Sequence, residues 1–154
     1  MTPQIHLQNV STCSAIPERR QIRRWINAAL TAKLANHPAP AANAEITVRV
    51  VDKLESATLN QYYRKKHGPT NILSFPFANN DEILGDLVVC APLLIEEAQI
   101  QGKTAEAHWA HLIIHGTLHL LGYDHGNNED AESMETKEIA IMAQLGYPNP
   151  YLPL

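Results

Sequence analysis

Cysteine is scarce in this chain: its 154 residues include only Cys13 and Cys90. The two lie far apart and form no metal motif. A cysteine-built metal centre and a disulfide-dense fold are therefore excluded, and two lone thiols in a reducing cytosol are expected. Long apolar runs are also missing. None approaches the roughly 20 residues of a membrane-spanning helix. No positive segment followed by an apolar stretch opens the chain, so no secretion signal is expected. Positive charge is not in excess either. The formal net charge of −4 gives no overall attraction for nucleic acid, and any such binding needs a local basic patch. No internal repeat or low-complexity segment is visible. What remains is one soluble, cytoplasmic domain over residues 1–154, long enough to bury a core.

Histidine, by contrast, is concentrated. Five of the eight histidines fall between positions 108 and 125. His108, His111, His115 and His119 lie close to one stripe of a helix. A single ion cannot take His111, His115 and His119 together. Positions eight apart on a helix are separated by about 12 Å along its axis, and a zinc–nitrogen bond is only about 2.0–2.1 Å. Of the possible pairs, only His115 and His119 are followed by a helix-ending glycine, Gly122, and then by another histidine, His125. That pattern points to a metal site made of His115, His119 and His125. His108 and His111 are left as groups that orient ligands or lie at the surface. An all-nitrogen set suits one Zn²⁺ ion, and three protein ligands leave a fourth position for water, the pattern of a catalytic zinc. Water held there has a lowered pKa and acts as a hydroxide-like nucleophile near neutral pH.

The same histidine spacing occurs in metzincin proteases, which carry a glutamate general base directly after the first histidine. Here that position is Gly116. Peptide hydrolysis by the usual route is thereby disfavoured. A phosphodiester is a better match, because a metal can also neutralise charge on the phosphoryl oxygens.

The rest of the chain reads as β, α, β, α, β, β, α, α, α. Residues 4–10 and 45–51 alternate as strands. Pro17 opens a helix carrying Ile22, Trp25, Ile26, Ala29, Leu30 and Leu34 on one side and Arg19, Arg20, Arg23 and Arg24 on the others. Residues 36–44 form a loop. Asp52 caps a helix running to about Tyr63, which delivers Arg64, Lys65, Lys66 and His67 just before the breaker pair Gly68-Pro69. Thr70–Phe75 is a short strand, 76–82 an exposed loop, and Ile83–Cys90 a second apolar strand interrupted by Gly85 and Asp86. Pro92 opens a helix through Gln101. Thr104 caps the histidine helix, 126–128 is a turn, and Glu129–Leu145 is an acidic amphipathic helix. These elements predict an α+β fold: a small mixed sheet of about four strands packed with about five helices. The metal site would lie on a helix and its following turn, at a cleft.

The segment His115-Gly116-Thr117-Leu118-His119-Leu120-Leu121-Gly122-Tyr123-Asp124-His125 resembles the signature of the bacterial YbeY family. Leu59–Arg64, Thr70–Pro76, Leu84–Leu87 and Met134-Glu135 resemble the family's other blocks, in the same order, so the likeness runs from about 45 to 147. It implies a zinc-dependent, single-strand-specific endoribonuclease. Such an enzyme acts in maturation of the 3′ end of small-subunit ribosomal RNA and in ribosome quality control. The implied partners are single-stranded RNA, ribosomal RNA and the small ribosomal subunit, with room for ribosome-associated proteins. His115, His119 and His125 match the family's metal ligands, with His115 counted as catalytic. Arg64 matches its functional arginine, implied to meet the RNA phosphate. Ser74, Asp86, Asp124 and Glu135 are weaker candidates. Ser74 would shape the cleft or bond a phosphate, and Asp86 or Asp124 would orient a ligand histidine. Two other readings remain: a metalloprotease without the usual glutamate, and a non-catalytic ribosome-assembly factor braced by metal.

Overall fold

Among the described residues, alternation of apolar and polar residues builds a four-stranded sheet, and five helices, each with an apolar face, cover it. The computed structural model describes residues 3–34, 43–77, 82–122 and 128–152. In chain order the elements are β1 (Gln4–Asn9), α1 (Arg19–Leu34), β2 (Asn43–Val51), α2 (Lys53–Arg64), β3 (Ile72–Phe77), β4 (Glu82–Cys90), α3 (Ala91–Ile100), α4 (Ala105–Leu120) and α5 (Asn128–Gln144). The sheet order is β1-β2-β4-β3. β1, β2 and β4 are parallel, and β3 runs antiparallel to β4 at the edge. This is the expected α+β fold.

Register sorts the side chains. Ile46, Val48 and Val50 stand beside Gly85, Leu87 and Val89, and this face joins α1, α4 and α5 in the main core around Trp25, Trp109 and Ile113. The opposite face buries Val51, Leu73 and Val88, with Leu59 of α2 and Phe75 packed against them.

Several boundaries shift for identifiable reasons. α1 begins at Arg19, two residues after Pro17, because the Glu18 carbonyl accepts the first helical N–H groups, from Gln21 and Ile22. Asp52 stands at the N-cap of α2 but caps nothing there. Its carboxylate accepts from Ser11 Oγ at 2.6 Å, Thr12 Oγ1 at 2.8 Å and Thr12 N at 3.0 Å. Thr104 does cap α4, accepting from Ala107 N at 3.1 Å. β3 starts at Ile72, since Thr70 is held by Ser56 through both its N–H and its carbonyl. It continues past Phe75 through Pro76 to Phe77, which an edge strand tolerates. Of the expected loop 36–44, residues 43 and 44 belong to β2 and the others lie outside the described residues. The turn at 126–128 falls outside them too, except for Asn128, which begins α5.

α4 is the central element and touches α1, α3, α5, β3 and β4. From Ala107 to Leu120 every residue is buried except His111, His115 and His119. Two glycines permit this packing. A Cβ on Gly116 would stand 2.7 Å from Ile72 Cδ1 and 2.9 Å from Leu87 Cδ2, so α4 lies directly on β3 and β4 there. A Cβ on Gly85 would stand 2.6 Å from Leu120 Cδ2 and 2.9 Å from the Phe75 carbonyl oxygen.

Candidate metal centre and its basic cleft

The histidine stripe is the part of α4 that reaches solvent. The His115 and His119 rings meet edge to face, with centroids 4.8 Å apart, as expected one turn apart on one face. Both line a cleft of about 410 Å³ whose other wall carries Asn60, Arg64 and Lys66 and whose floor includes Ser74. Ser74 Oγ donates to the Gly116 carbonyl at 3.2 Å, tying β3 to α4 at this floor.

The basic wall is placed by the end of α2. Lys65 adopts a left-handed conformation (φ 58°), and its N–H returns to the helix carbonyls. This closes the helix and turns the chain back. Asn60 Nδ2 then donates to the Gly68 carbonyl at 2.9 Å, and the Cys90 N–H to the Asn71 carbonyl at 2.9 Å. The loop is thereby fixed to both α2 and β4. Arg64 is exposed and pairs with no carboxylate among the described residues.

Behind the histidines lies a carboxylate from α5. Glu138 is fully buried. Its Oε1 accepts from His111 Nε2 at 2.7 Å, His115 Nδ1 at 3.0 Å and the Tyr151 hydroxyl at 2.9 Å. Burial opposes its ionisation, but the hydrogen bonds and charge of His111 and His115 prevail and hold its pKa down to about 2. Burial and the neighbouring Glu138 charge push the Tyr151 phenol up, so it stays a donor. An ionised carboxylate only accepts, so the hydrogen of His115 sits on Nδ1. In the neutral ring Nε2 then carries the lone pair that a metal requires. The donor chemistry thus fits a metal ion. His111, His115 and Glu138 also offer ligand atoms within 4.8 Å of one another and could themselves hold an ion.

The sequence model of the YbeY family, described as Endoribonuclease YbeY, matches residues 6–146. A protein named Endoribonuclease YbeY from Methylococcus capsulatus is 50% identical over 149 residues, covering 94% of this chain and 93% of that protein. One of the same name from Coxiella burnetii is 49% identical over 151 residues, covering 96% and 97%. The chain belongs to the YbeY endoribonuclease family. The solution structure of TM1509 from Thermotoga maritima shares the fold, with a TM-score of 0.58, 24% identity and coverage of 93% of this chain and 91% of that one.

In this YbeY chain the residues expected from sequence fall unevenly. His115, His119, Arg64 and Ser74 line one cleft. His125 and Asp124 lie outside the described residues. Asp86 sits between Gly85 and Leu87, whose α-carbon and side chain pack against α4. Strand alternation therefore directs Asp86 to the α2 face, away from the histidines, and burial raises its pKa. Glu135 is exposed. His108 is buried, and its Nε2 meets Glu97 at 2.9 Å. Burial lowers its pKa, with Glu97 opposing. His111 is mostly buried and belongs to the Glu138 network.

Sequence reasoning missed Glu138 and Tyr151. Glu138 had a readable signal: it stands four residues after Met134 and three before Ile141, all buried. A carboxylate on the apolar stripe of an amphipathic helix needs a partner. Tyr151, in an irregular tail, had none.

Proposed function

We propose that this chain is a metal-dependent endoribonuclease that cuts single-stranded RNA. In this reading His115, His119 and His125 hold one Zn²⁺ ion. The observation that carries it is the shared cleft, in which two metal-competent histidines face Arg64 and Lys66. The YbeY relatives from Methylococcus and Coxiella, named as endoribonucleases, supply the substrate class. When bound, the metal supplies Lewis acidity and a water activated near neutral pH.

The chain's own residues do the rest. Arg64 binds the scissile phosphodiester through paired N–H groups and offsets charge that grows on its oxygens. Lys66 adds a second cation at the same wall. Glu138 keeps the His115 hydrogen on Nδ1 and so orients the ring, a role that suits its three donors better than direct ligation. His111, bonded to the same oxygen, braces Glu138. The biological substrate in this reading is the 3′ region of small-subunit ribosomal RNA, met in the cytoplasm on the small ribosomal subunit and its associated proteins. The work extends to ribosome quality control. Among the described residues no helix is long and apolar enough to cross a membrane.

Gly116 weighs against the protease reading beyond its missing carboxylate. Its Cβ position is filled by Ile72 and Leu87, so a glutamate there would point into the sheet and not at a substrate.

The test is incubation of purified protein with a small-subunit ribosomal RNA precursor extended past its mature 3′ end. Cuts are expected in single-stranded segments only, and none with His119→Ala purified alongside. Equal cutting by His119→Ala would assign the activity to a contaminant and overturn the reading. The new ends identify the nucleophile: a 2′,3′-cyclic phosphate marks the ribose 2′-OH and a 5′-phosphate marks water.

A further inference from the structure

A second surface adjoins the cleft on the far side of β3. Between Glu55 and Asp81 the sequence contains no acidic residue, although the chain has 16 of them. That stretch holds the end of α2, the turn Lys65–Gly68 and all of β3. The stretch itself is therefore positive in a negative protein, and among the described side chains the acidic group that β4 adds on this face is Asp86, the cross-strand partner of Phe75. The stretch is also aromatic. Tyr62 is 68% exposed, Tyr63 57% and Phe77 53%. Tyr62 and Tyr63 meet edge to face at 4.7 Å, and Tyr63 and Phe75 at 4.9 Å. Lys65 Nζ lies 5.6 Å from the Tyr62 ring centre.

Single exposed rings are ordinary on protein surfaces. A linked set, Tyr62 on Tyr63 and Tyr63 on Phe75, beside cations that form no ion pair among the described residues is not, because a large exposed apolar patch marks a site that something covers. The topology joins this set to the cleft. Ser74 faces α4 and the histidines, whereas Phe75 and Phe77 face the α2 side. β3 is the edge strand, so no further strand separates the two surfaces.

We infer that Tyr62 and Tyr63, with the exposed Phe77 two residues beyond Phe75 on the same face of β3, form a stacking shelf for the bases of single-stranded RNA running over the β3 edge from the cleft. Arg64, Lys65 and Lys66 track its phosphates. This rests on the RNA-cleavage reading above and adds the basis of strand selection. Unpaired bases can lay their faces on aromatic rings, whereas stacked, paired bases in a duplex cannot. Cations alone do not select the single strand, since the duplex carries the denser phosphate charge.

The test uses the full-length protein and a fluorescein-labelled 2′-O-methyl phosphorothioate uridine oligomer of about ten nucleotides, which resists cleavage. The same oligomer annealed to its complement is the duplex probe. Binding is read by anisotropy. A lost stack is worth at least about fivefold in affinity, so Tyr62→Ala and the Tyr62→Ala, Tyr63→Ala pair should weaken single-strand binding by that much or more. Duplex binding should stay unchanged, and Tyr62→Trp should restore the single-strand affinity. Tyr63 packs on Phe75, so the double variant risks a folding defect. The mostly exposed Tyr62 avoids it and decides the question alone. Unchanged single-strand affinity in Tyr62→Ala, with wild-type protein binding normally, would overturn the shelf and leave the nuclease reading standing. Failure of wild-type protein to bind either probe would overturn both.

Discussion

At the scale of single residues, Glu138 links what the cleft displays to what the core conceals. One oxygen serves His111, His115 and Tyr151, and the other is buried without a hydrogen-bond partner among the described residues. Replacing the charge with an amide, Glu138→Gln, should weaken zinc binding by about 10- to 100-fold, the usual effect of losing a carboxylate behind a ligand histidine. Competition with a chelating dye measures this, and unchanged affinity would remove the orienting role. His111→Ala separates the two possible ion sites. It should retain zinc if the ion sits on His115 and His119, and lose it if His111 and Glu138 are ligands. The histidine pair itself was legible in the sequence, because spacing alone puts two rings on one face. Glu138 was harder to see, because its importance comes from burial between α4 and α5, a tertiary fact. The family likeness drew attention to Met134-Glu135, and the carboxylate that turns inward lies three residues later.

At the scale of elements, α4 is held against the sheet by the absence of a side chain at 116. Gly116→Ala puts a methyl group against Ile72 and Leu87. Overpacking of this kind costs about 1–3 kcal/mol. Denaturant unfolding should show that loss, and an unchanged midpoint would mean that the helix–strand contact yields easily. Asp52 joins three other elements. Its hydrogen bonds from Ser11 and Thr12 fasten the segment after β1 to the junction of β2 and α2. Those bonds, from Ser11 first, lower its pKa below the ordinary 3.8. The carboxylate therefore stabilises the fold above that value, and the contribution fades as pH falls through the lowered one. Asp52→Asn should melt earlier than wild type near neutral pH, and the gap should close at strongly acid pH. A gap independent of pH would mean that the ionised form is not what the fold uses. Sequence reading placed Asp52 correctly at the start of α2 but misjudged its partner. A capping residue is recognised by position, and only the three-dimensional path of residues 11 and 12 reveals a stronger competitor.

At the scale of the whole molecule, the element order and the mixed sheet were readable from alternation, helix-starting prolines and glycine stops. Strand order was not. The placement of β4 between β2 and β3 follows from a parallel crossover and an antiparallel return, neither of which leaves a local pattern in the sequence. That order makes β3 an edge, and the edge is what opens the cleft between α4 and the end of α2. Arg64 and the histidines are about 50 residues apart in the chain, and the fold brings them to one cavity. Zinc content measured together with RNA cleavage on the same preparations separates their two roles. His119→Ala should lose both zinc and cleavage, whereas Arg64→Ala should keep its zinc and lose cleavage. Cleavage that survives in His119→Ala, or full activity in Arg64→Ala, would mean that the histidines and Arg64 do not divide the reaction in this way.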